Sequence, residues 1–304
     1  MTPAGIVVQG VRRSFGSTHA VRDMTFSAAP GRVTGLIGPN GSSKTTLLLM
    51  LATLLAPDAG TIRVGGVDPL RDPAGVRAVT GWMPDVLGSW ASLTTRATLE
   101  LTGRLYGLPG ARSAARAEEL IGLVGLGELA DRPTRVLSRG QKQRMSLARA
   151  LVHDPSVLLL DEPASGLDPE ARVDLRILVR RLAAEGRTVL VSSHVLAELE
   201  EMADDAVYVQ HGATVDADRV EALRDAPRLW RVRAEDPGAL LAALGGRGDV
   251  TEDHLGHLVP VRDEADAADL LARLVAAGVR IVAFAPAAGE LERTFLELSR
   301  EARA

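Results

Sequence analysis

"GLIGPNGSSKTTLLLML", residues 35–51, is the stretch on which the reading turns. A phosphate-binding loop has the form glycine, four residues, glycine, lysine, then serine or threonine. Gly38, Lys44 and Thr45 fit that form, but position 43, where the second glycine belongs, holds Ser43. In such a loop, backbone N–H groups and a helix N-terminus hold phosphates, the lysine reaches the terminal ones, and the hydroxyl ligates a divalent metal. The motif is credible only between a strand and a helix. Upstream, "RVTGLIG" (32–38) is a short apolar β-rich run. Downstream, "SKTTLLLMLATLL" (43–55) has helical length and "GTIRVGG" (60–66) returns to strand. The rival reading of the loop alone is a Gly-rich turn ahead of a core helix.

Moving outward, the alternation continues. "GIVVQGVRRSF" (5–15) reads as a strand with a turn. Residues 93–130 are mostly helical, with "TRATLELTGRLYG" and "ARAEELIGLVGL" as the periodic pieces. Ser138 is the expected N-cap of a helix over 138–154. "SVLLLDEP" (156–163) is a buried strand ending in two carboxylates. "EARVDLRILVRRLAAEG" (170–186) is an amphipathic helix closed by Gly186, and "TVLVSSH" (188–194) is the next strand. The alternation predicts a mostly parallel sheet with helices on both faces. After about residue 220 the pattern changes to a small α+β domain, with the linker expected near "VEALRDAPR" (220–228).

Further segments join the loop. "VLLLDEPASGLDP" (157–169) places Asp161 and Glu162 at a strand end, which a core strand alone does not explain. "VLSRGQKQR" (136–144) opens a helix, and "VLVSSH" (189–194) puts His194 at another strand end. Together these resemble the ATP-binding subunit of an ATP-binding-cassette (ABC) transporter. The resemblance spans residues 1 to about 215 at the level of motifs. It implies an α/β fold, a P-loop NTPase core over residues 1–220, with a helical subdomain at about 86–154 and an accessory α+β domain at 226–304.

The resemblance also implies roles. ATP would be held by Gly38, Asn40, Gly41, Ser42, Ser43, Lys44, Thr45 and Thr46, with adenine on Phe15; a core Phe is the rival reading there. Mg²⁺ would be held by Thr45 and Asp161. Asp85 stands in "GWMPD" (81–85) where the family's Q-loop usually has glutamine, and is carried as a third metal ligand. Glu162 would be the general base, His194 the switch histidine on the γ-phosphate, and Lys44 the third catalytic group. The family signature is usually Leu-Ser-Gly-Gly-Gln; here Arg139 replaces its first glycine. Ser138, Gly140 and Gln141 of that signature, and Asp168 of the D-loop, would face ATP held by a second copy. The remaining histidines, His19, His153, His211, His254 and His257, read as surface or core residues.

Ser43 leaves two outcomes open. A clash of about 2–4 kcal/mol would weaken ATP binding roughly 30- to 1,000-fold. A relaxed loop would let the hydroxyl donate to phosphate instead. A working ATPase of reduced affinity or rate is expected, since the rest of the set is intact. The alternative is a hydrolysis-impaired nucleotide-binding regulatory or scaffold subunit.

Composition narrows the class. The 304 residues carry a net charge of −4, which points to no nucleic-acid surface, and no cysteine, which excludes disulfides and thiolate metal sites. Lys44 and Lys142 are the only lysines. The N-terminus lacks an apolar core of signal-peptide length. The longest apolar run (47–56) spans about 15 Å as a helix, roughly half a bilayer core. The expectation is a peripheral protein on the cytoplasmic face of the membrane. The ending "LERTFLELSRE" resembles cassette subunits of drug- and antibiotic-export systems, which work with a separate membrane-spanning chain; "SLTTRATLEL" (92–101) resembles the segment that meets that chain. A soluble repair or translation cassette would carry two cassettes or long coiled coils, and neither is present.

Overall fold

The computed structural model describes residues 5–86, 88, 90–245 and 249–301. Two compact units divide the chain, Met1–Val215 and Asp216–Ala304.

The first unit runs β1 (Ile6–Phe15), β2 (Thr18–Ala28), β3 (Val33–Ile37), α1 (Lys44–Leu51), β4 (Ala59–Val64), α2 (Pro73–Val79), β5 (Thr80–Met83), α3 (Thr95–Leu105), α4 (Gly110–Leu123), α5 (Arg139–Ala150), β6 (Val157–Asp161), α6 (Pro169–Ala184), β7 (Thr188–Ser192), α7 (Leu196–Met202), β8 (Asp205–Gln210) and β9 (Ala213–Thr214). Its strands lie in the order β4-β1-β2-β9-β8-β3-β7-β6-β5. The block β8-β3-β7-β6-β5 is parallel. Strands β3, β6 and β7 are buried along their whole length, as parallel strands covered on both faces must be.

The sheet is mostly parallel, as expected, and carries an antiparallel part as well. β1 pairs antiparallel with both β2 and β4, adding a wing. β1 is also one continuous strand. The register shifts between Val8 and Val11, where Gly10 takes φ 57°, so Gly10 makes a bulge where the sequence suggests a turn.

The parallel block positions the site. In parallel sheets, ligands bind beyond the carboxyl ends of the strands. Ser192 pairs in register with Leu36 on one side and Asp161 on the other. The loop after β3, the acids after β6 and the histidine after β7 therefore share one edge. Each following helix starts with defined chemistry. Ser138 and Gln141 form a reciprocal capping box on α5. Asp168 caps α6 by accepting from the Ala171 N–H at 2.9 Å, ahead of Pro169 in the first turn.

The second unit is α8 (Ala217–Asp225), β10 (Arg228–Ala234), α9 (Pro237–Ala243), β11 (Thr251–Asp253), β12 (Gly256–Val261), α10 (Glu264–Ala276), β13 (Ile281–Pro286) and α11 (Glu290–Glu301). The strand order β11-β12-β10-β13, all antiparallel, with βαββαβ connectivity is a ferredoxin-like arrangement. Its core joins Val232, Val259 and Val261 to Leu240, Leu270 and Leu274 of α9 and α10. The stretch 220–228, where the sequence suggests a linker, is helix α8 running into β10. Asp216 starts that helix by accepting from the Asp218 N–H at 2.9 Å. Arg293 of α11 holds its end through the Ala226 carbonyl at 2.9 Å. Among the described residues, no helix is long and apolar enough to cross a membrane.

Candidate functional site

A cleft of roughly 570 Å³ opens over the strand ends, within the size range of ligand sites. Phe15, Asn40–Thr46, Asp85, Asp161 and Glu162 line it.

The loop after β3 is tightly built. A Cβ at Gly38 would lie 2.4 Å from the Val209 carbonyl oxygen, so only glycine fits. Ser43 adopts φ 77°, the left-handed region that glycine takes freely. Its hydroxyl donates to the Ala20 carbonyl on β2. This is neither of the expected outcomes. The loop accommodates the Cβ by keeping a glycine-like conformation, and the hydroxyl ties it to the antiparallel wing.

Lys44 is buried, and its Nζ donates to the Gly38 carbonyl at 2.6 Å and the Pro39 carbonyl at 3.1 Å. Burial lowers its pKa, against the opposing pull of Glu162 and Asp161. Thr45 Oγ1 donates to Asp161 Oδ2 at 3.2 Å, and Ser192 Oγ donates to Asp161 Oδ1 at 2.5 Å. Burial nevertheless raises the Asp161 pKa.

Glu162 sits at φ 51°. Ser192 fixes its amide, accepting through the carbonyl at 3.1 Å and Oγ at 3.2 Å. Gln143 Nε2 donates to the Glu162 carbonyl at 2.8 Å. His194 Nδ1 lies 2.7 Å from Glu162 Oε2. Burial raises the Glu162 pKa, offset in part by His194 and Lys44. A carboxylate so raised is a stronger base, the direction a water-activating group needs.

Phe15 is 49% exposed and lines the cleft, which decides against the core reading. Arg13 Cζ stands 4.9 Å from its ring centroid. His19 and His211, read from sequence as background, also line the cleft. His19 Nδ1 is 2.9 Å from Ser14 Oγ. Ser192 and Gln143 were legible only as strand and helix residues. Their signal is adjacency, one ending the strand before His194 and the other following the signature. His153 stacks on Tyr106 with ring centroids 3.7 Å apart, and His257 is buried in the second unit.

Ser138, Gly140, Gln141 and Asp168 are not among the cleft's lining residues. Ser138 is exposed at the start of α5 and accepts from the Gln141 N–H at 3.2 Å, while Gln141 Oε1 accepts from the Ser138 N–H at 2.9 Å. Arg139 folds back onto the D-loop. Its Nη2 donates to Ser165 Oγ at 2.7 Å, and a Cβ on Gly166 would lie 2.6 Å from its Cδ.

Comparison with known proteins agrees with this geometry. Residues 21–165 match the family model described as ABC transporter. The chain is 36% identical over its whole length, and over 98% of the relative's, to a daunorubicin resistance ATP-binding protein from Streptomyces coeruleorubidus. The chain belongs to the ABC transporter family. It is 39% identical over 71% of each chain to a Nod factor export ATP-binding protein from Paraburkholderia xenovorans. A solved structure of an ATP-binding subunit of an ABC transporter overlays 72% of this chain and 92% of its own with TM-score 0.66 at 26% identity. The core is thus a P-loop ABC ATPase that binds ATP and couples its hydrolysis to transport. Nothing in the site favours the hydrolysis-impaired subunit: Ser43 is accommodated, and Phe15, residues 40–46, Asp85, Asp161 and Glu162 share one cleft, although Gly38 and His194 are not among its lining residues.

Proposed function

We propose that this chain powers export of a drug, antibiotic or other hydrophobic small molecule through a separate membrane-spanning partner. The observation that carries the reading is similarity along the entire length, second unit included, to a protein named for daunorubicin resistance. A docking surface for the partner is at hand. Leu101, Leu105 and Tyr106 of α3 and its end are exposed, and a groove there is lined by Ala74, Arg77, Ala78, Leu105, Tyr106 and Gly107. This groove follows directly on the segment 92–101. The work site is the cytoplasmic face of the membrane.

Within the cleft, the N–H groups of Gly41 and residues 43–46 and the Lys44 ammonium bind the phosphates, and Phe15 stacks on adenine. Mg²⁺ fits the donor set. Thr45 and Asp161 already meet through oxygen, and Asp85 raises the Asp161 pKa from across the cleft. Two carboxylates and a hydroxyl suit a cation that keeps waters and phosphate oxygens as its other ligands. When bound, Mg²⁺ supplies charge neutralisation to the β- and γ-phosphates. Glu162 accepts the proton of the attacking water through the oxygen not facing His194, and His194 holds that carboxylate in place.

The protein works as a pair. Ser138, Gly140, Gln141 and Asp168 do not line the chain's own cleft, which supports a pocket completed by a second copy. A helix start is a natural anion site for the partner's γ-phosphate. The experiment is transport in inverted vesicles containing this chain and its membrane partner. ATP-driven uptake of an anthracycline, lost in Glu162→Gln, is the expected result. ATP hydrolysis without uptake of any hydrophobic probe would remove the drug-export reading and leave the ATPase intact.

A further inference from the structure

A chain of side chains links the loop before α6 to the turn that carries His194. Arg172 stands in the first turn of α6. Its Nε donates to the Leu167 carbonyl at 3.2 Å, and its Nη1 lies 3.2 Å from Glu198 Oε1. The Glu198 side chain is only 14% exposed, and its other oxygen, Oε2, accepts from Ser193 Oγ at 3.3 Å. Ser193 Oγ in turn accepts from the Val195 N–H at 3.0 Å. Both neighbours of His194 are therefore pinned through one hydroxyl. One turn further along, Arg176 pairs with Glu201, fixing α6 against α7 a second time.

An exposed ion pair alone would contribute little. This one differs because each oxygen of a largely buried carboxylate has its own donor. Removing Arg172 leaves the Glu198 carboxylate poorly solvated, the circumstance in which a broken pair is most damaging. The links are also directional, running from the D-loop through Arg172 and Glu198 to Ser193, and so to the imidazole 2.7 Å from Glu162.

We infer that Arg172 and Glu198 are positioning residues for ATP hydrolysis. They hold the 193–195 turn so that His194 stays against Glu162. The inference rests on the proposed roles of Glu162 and His194. Neither residue lines the nucleotide cleft, so their effect falls on turnover and not on ATP affinity.

The test uses the full chain. Steady-state kcat and KM for MgATP, thermal midpoints and the imidazole NMR signal of His194 are measured in Arg172→Ala, Glu198→Ala and Arg172→Lys. The signal is identified by its loss in His194→Asn. In the two alanine variants kcat falls about tenfold, the size expected for losing a hydrogen bond to a charged group, while KM moves less than about twofold. The His194 signal shifts toward its position in Glu162→Gln. Arg172→Lys keeps the charge pair, gives up the bond to Leu167, and recovers most of the rate. Wild-type turnover with unchanged kcat in the alanine variants overturns the assignment. So does a loss matched by the thermal midpoint with an unmoved His194 signal, or a lysine variant as slow as the alanine one. If the wild type itself shows no turnover, the assigned hydrolytic roles fail, and the His194 signal still decides whether the pair holds the turn.

Discussion

Replacing Ser43 separates two accounts of the departure from the usual loop. The structure places Ser43 at φ 77° with its hydroxyl on the Ala20 carbonyl. Holding an L-residue in the left-handed region costs about 1 kcal/mol or somewhat more. The hydroxyl bond returns about 0.5–1.5 kcal/mol. Ser43→Gly relieves the first and forfeits the second, so MgATP affinity should stay within about fivefold of wild type. Ser43→Ala keeps the strain and loses the bond, so it should bind about fivefold more weakly than wild type. The order is therefore wild type and glycine together, alanine below. A steric clash with phosphate predicts another order, with glycine gaining roughly 30-fold or more and alanine matching serine. Calorimetric titration of MgATP, in a Glu162→Gln background that blocks turnover, measures all three. A glycine variant 30-fold tighter, or an alanine variant equal to wild type, would refute the reasoning.

Other predictions follow from the same geometry. Glu162 must be ionised to accept a proton, and burial raises its pKa, so kcat should fall on acidification at a higher pH than an exposed glutamate near 4.3 would give; a kcat–pH profile with no acid limb above that value contradicts the assignment. Burial lowers the Lys44 pKa, so phosphate binding should weaken on the alkaline side before an ordinary lysine near 10.4 would titrate, read as the MgATP Kd against pH. Phe15→Ala should weaken ATP by about 1–3 kcal/mol while Phe15→Trp retains binding, and equal affinities would remove adenine from that ring. Gly166→Ala meets both φ 76° and the Arg139 side chain, so it should lower the thermal midpoint and the ATPase rate. Adding Arg139→Gly should recover part of that loss, and no recovery would show that the contact with Arg139 is not the cause.

The parallel core was readable because its determinants are local. A run of buried β-branched and leucine residues, a glycine-bearing loop and two acids at a strand end occupy consecutive positions. The capping box on α5 is equally local, spanning Ser138 to Gln141. The antiparallel wing was less legible because Gly10 signals turn and bulge alike, and only pairing with β2 and β4 distinguishes them. Helix α8 was hidden because 220–228 is polar and short of buried residues, so its support comes from Asp216 and from Arg293 far along the chain. The site's finer parts were out of reach for the same reason. The Ser43 bond joins residues 23 positions apart, and the Arg139 bond joins residues 26 apart. His19 and His211 entered the cleft only when β2 and the segment after β8 were brought beside the loop. Sequence shows which chemistry is available, while contacts between distant side chains set where it acts.

The capping box at the start of α5 has a consequence for the lone protomer. Ser138 and Gln141 already satisfy each other's amides. Two of the donors at that helix start are therefore already taken in a lone cassette, which leaves the amides of Arg139 and Gly140 to meet an anion. Fidelity then comes from assembly, since a nucleotide carried in by the opposing copy is oriented against that surface while a wandering ion is not.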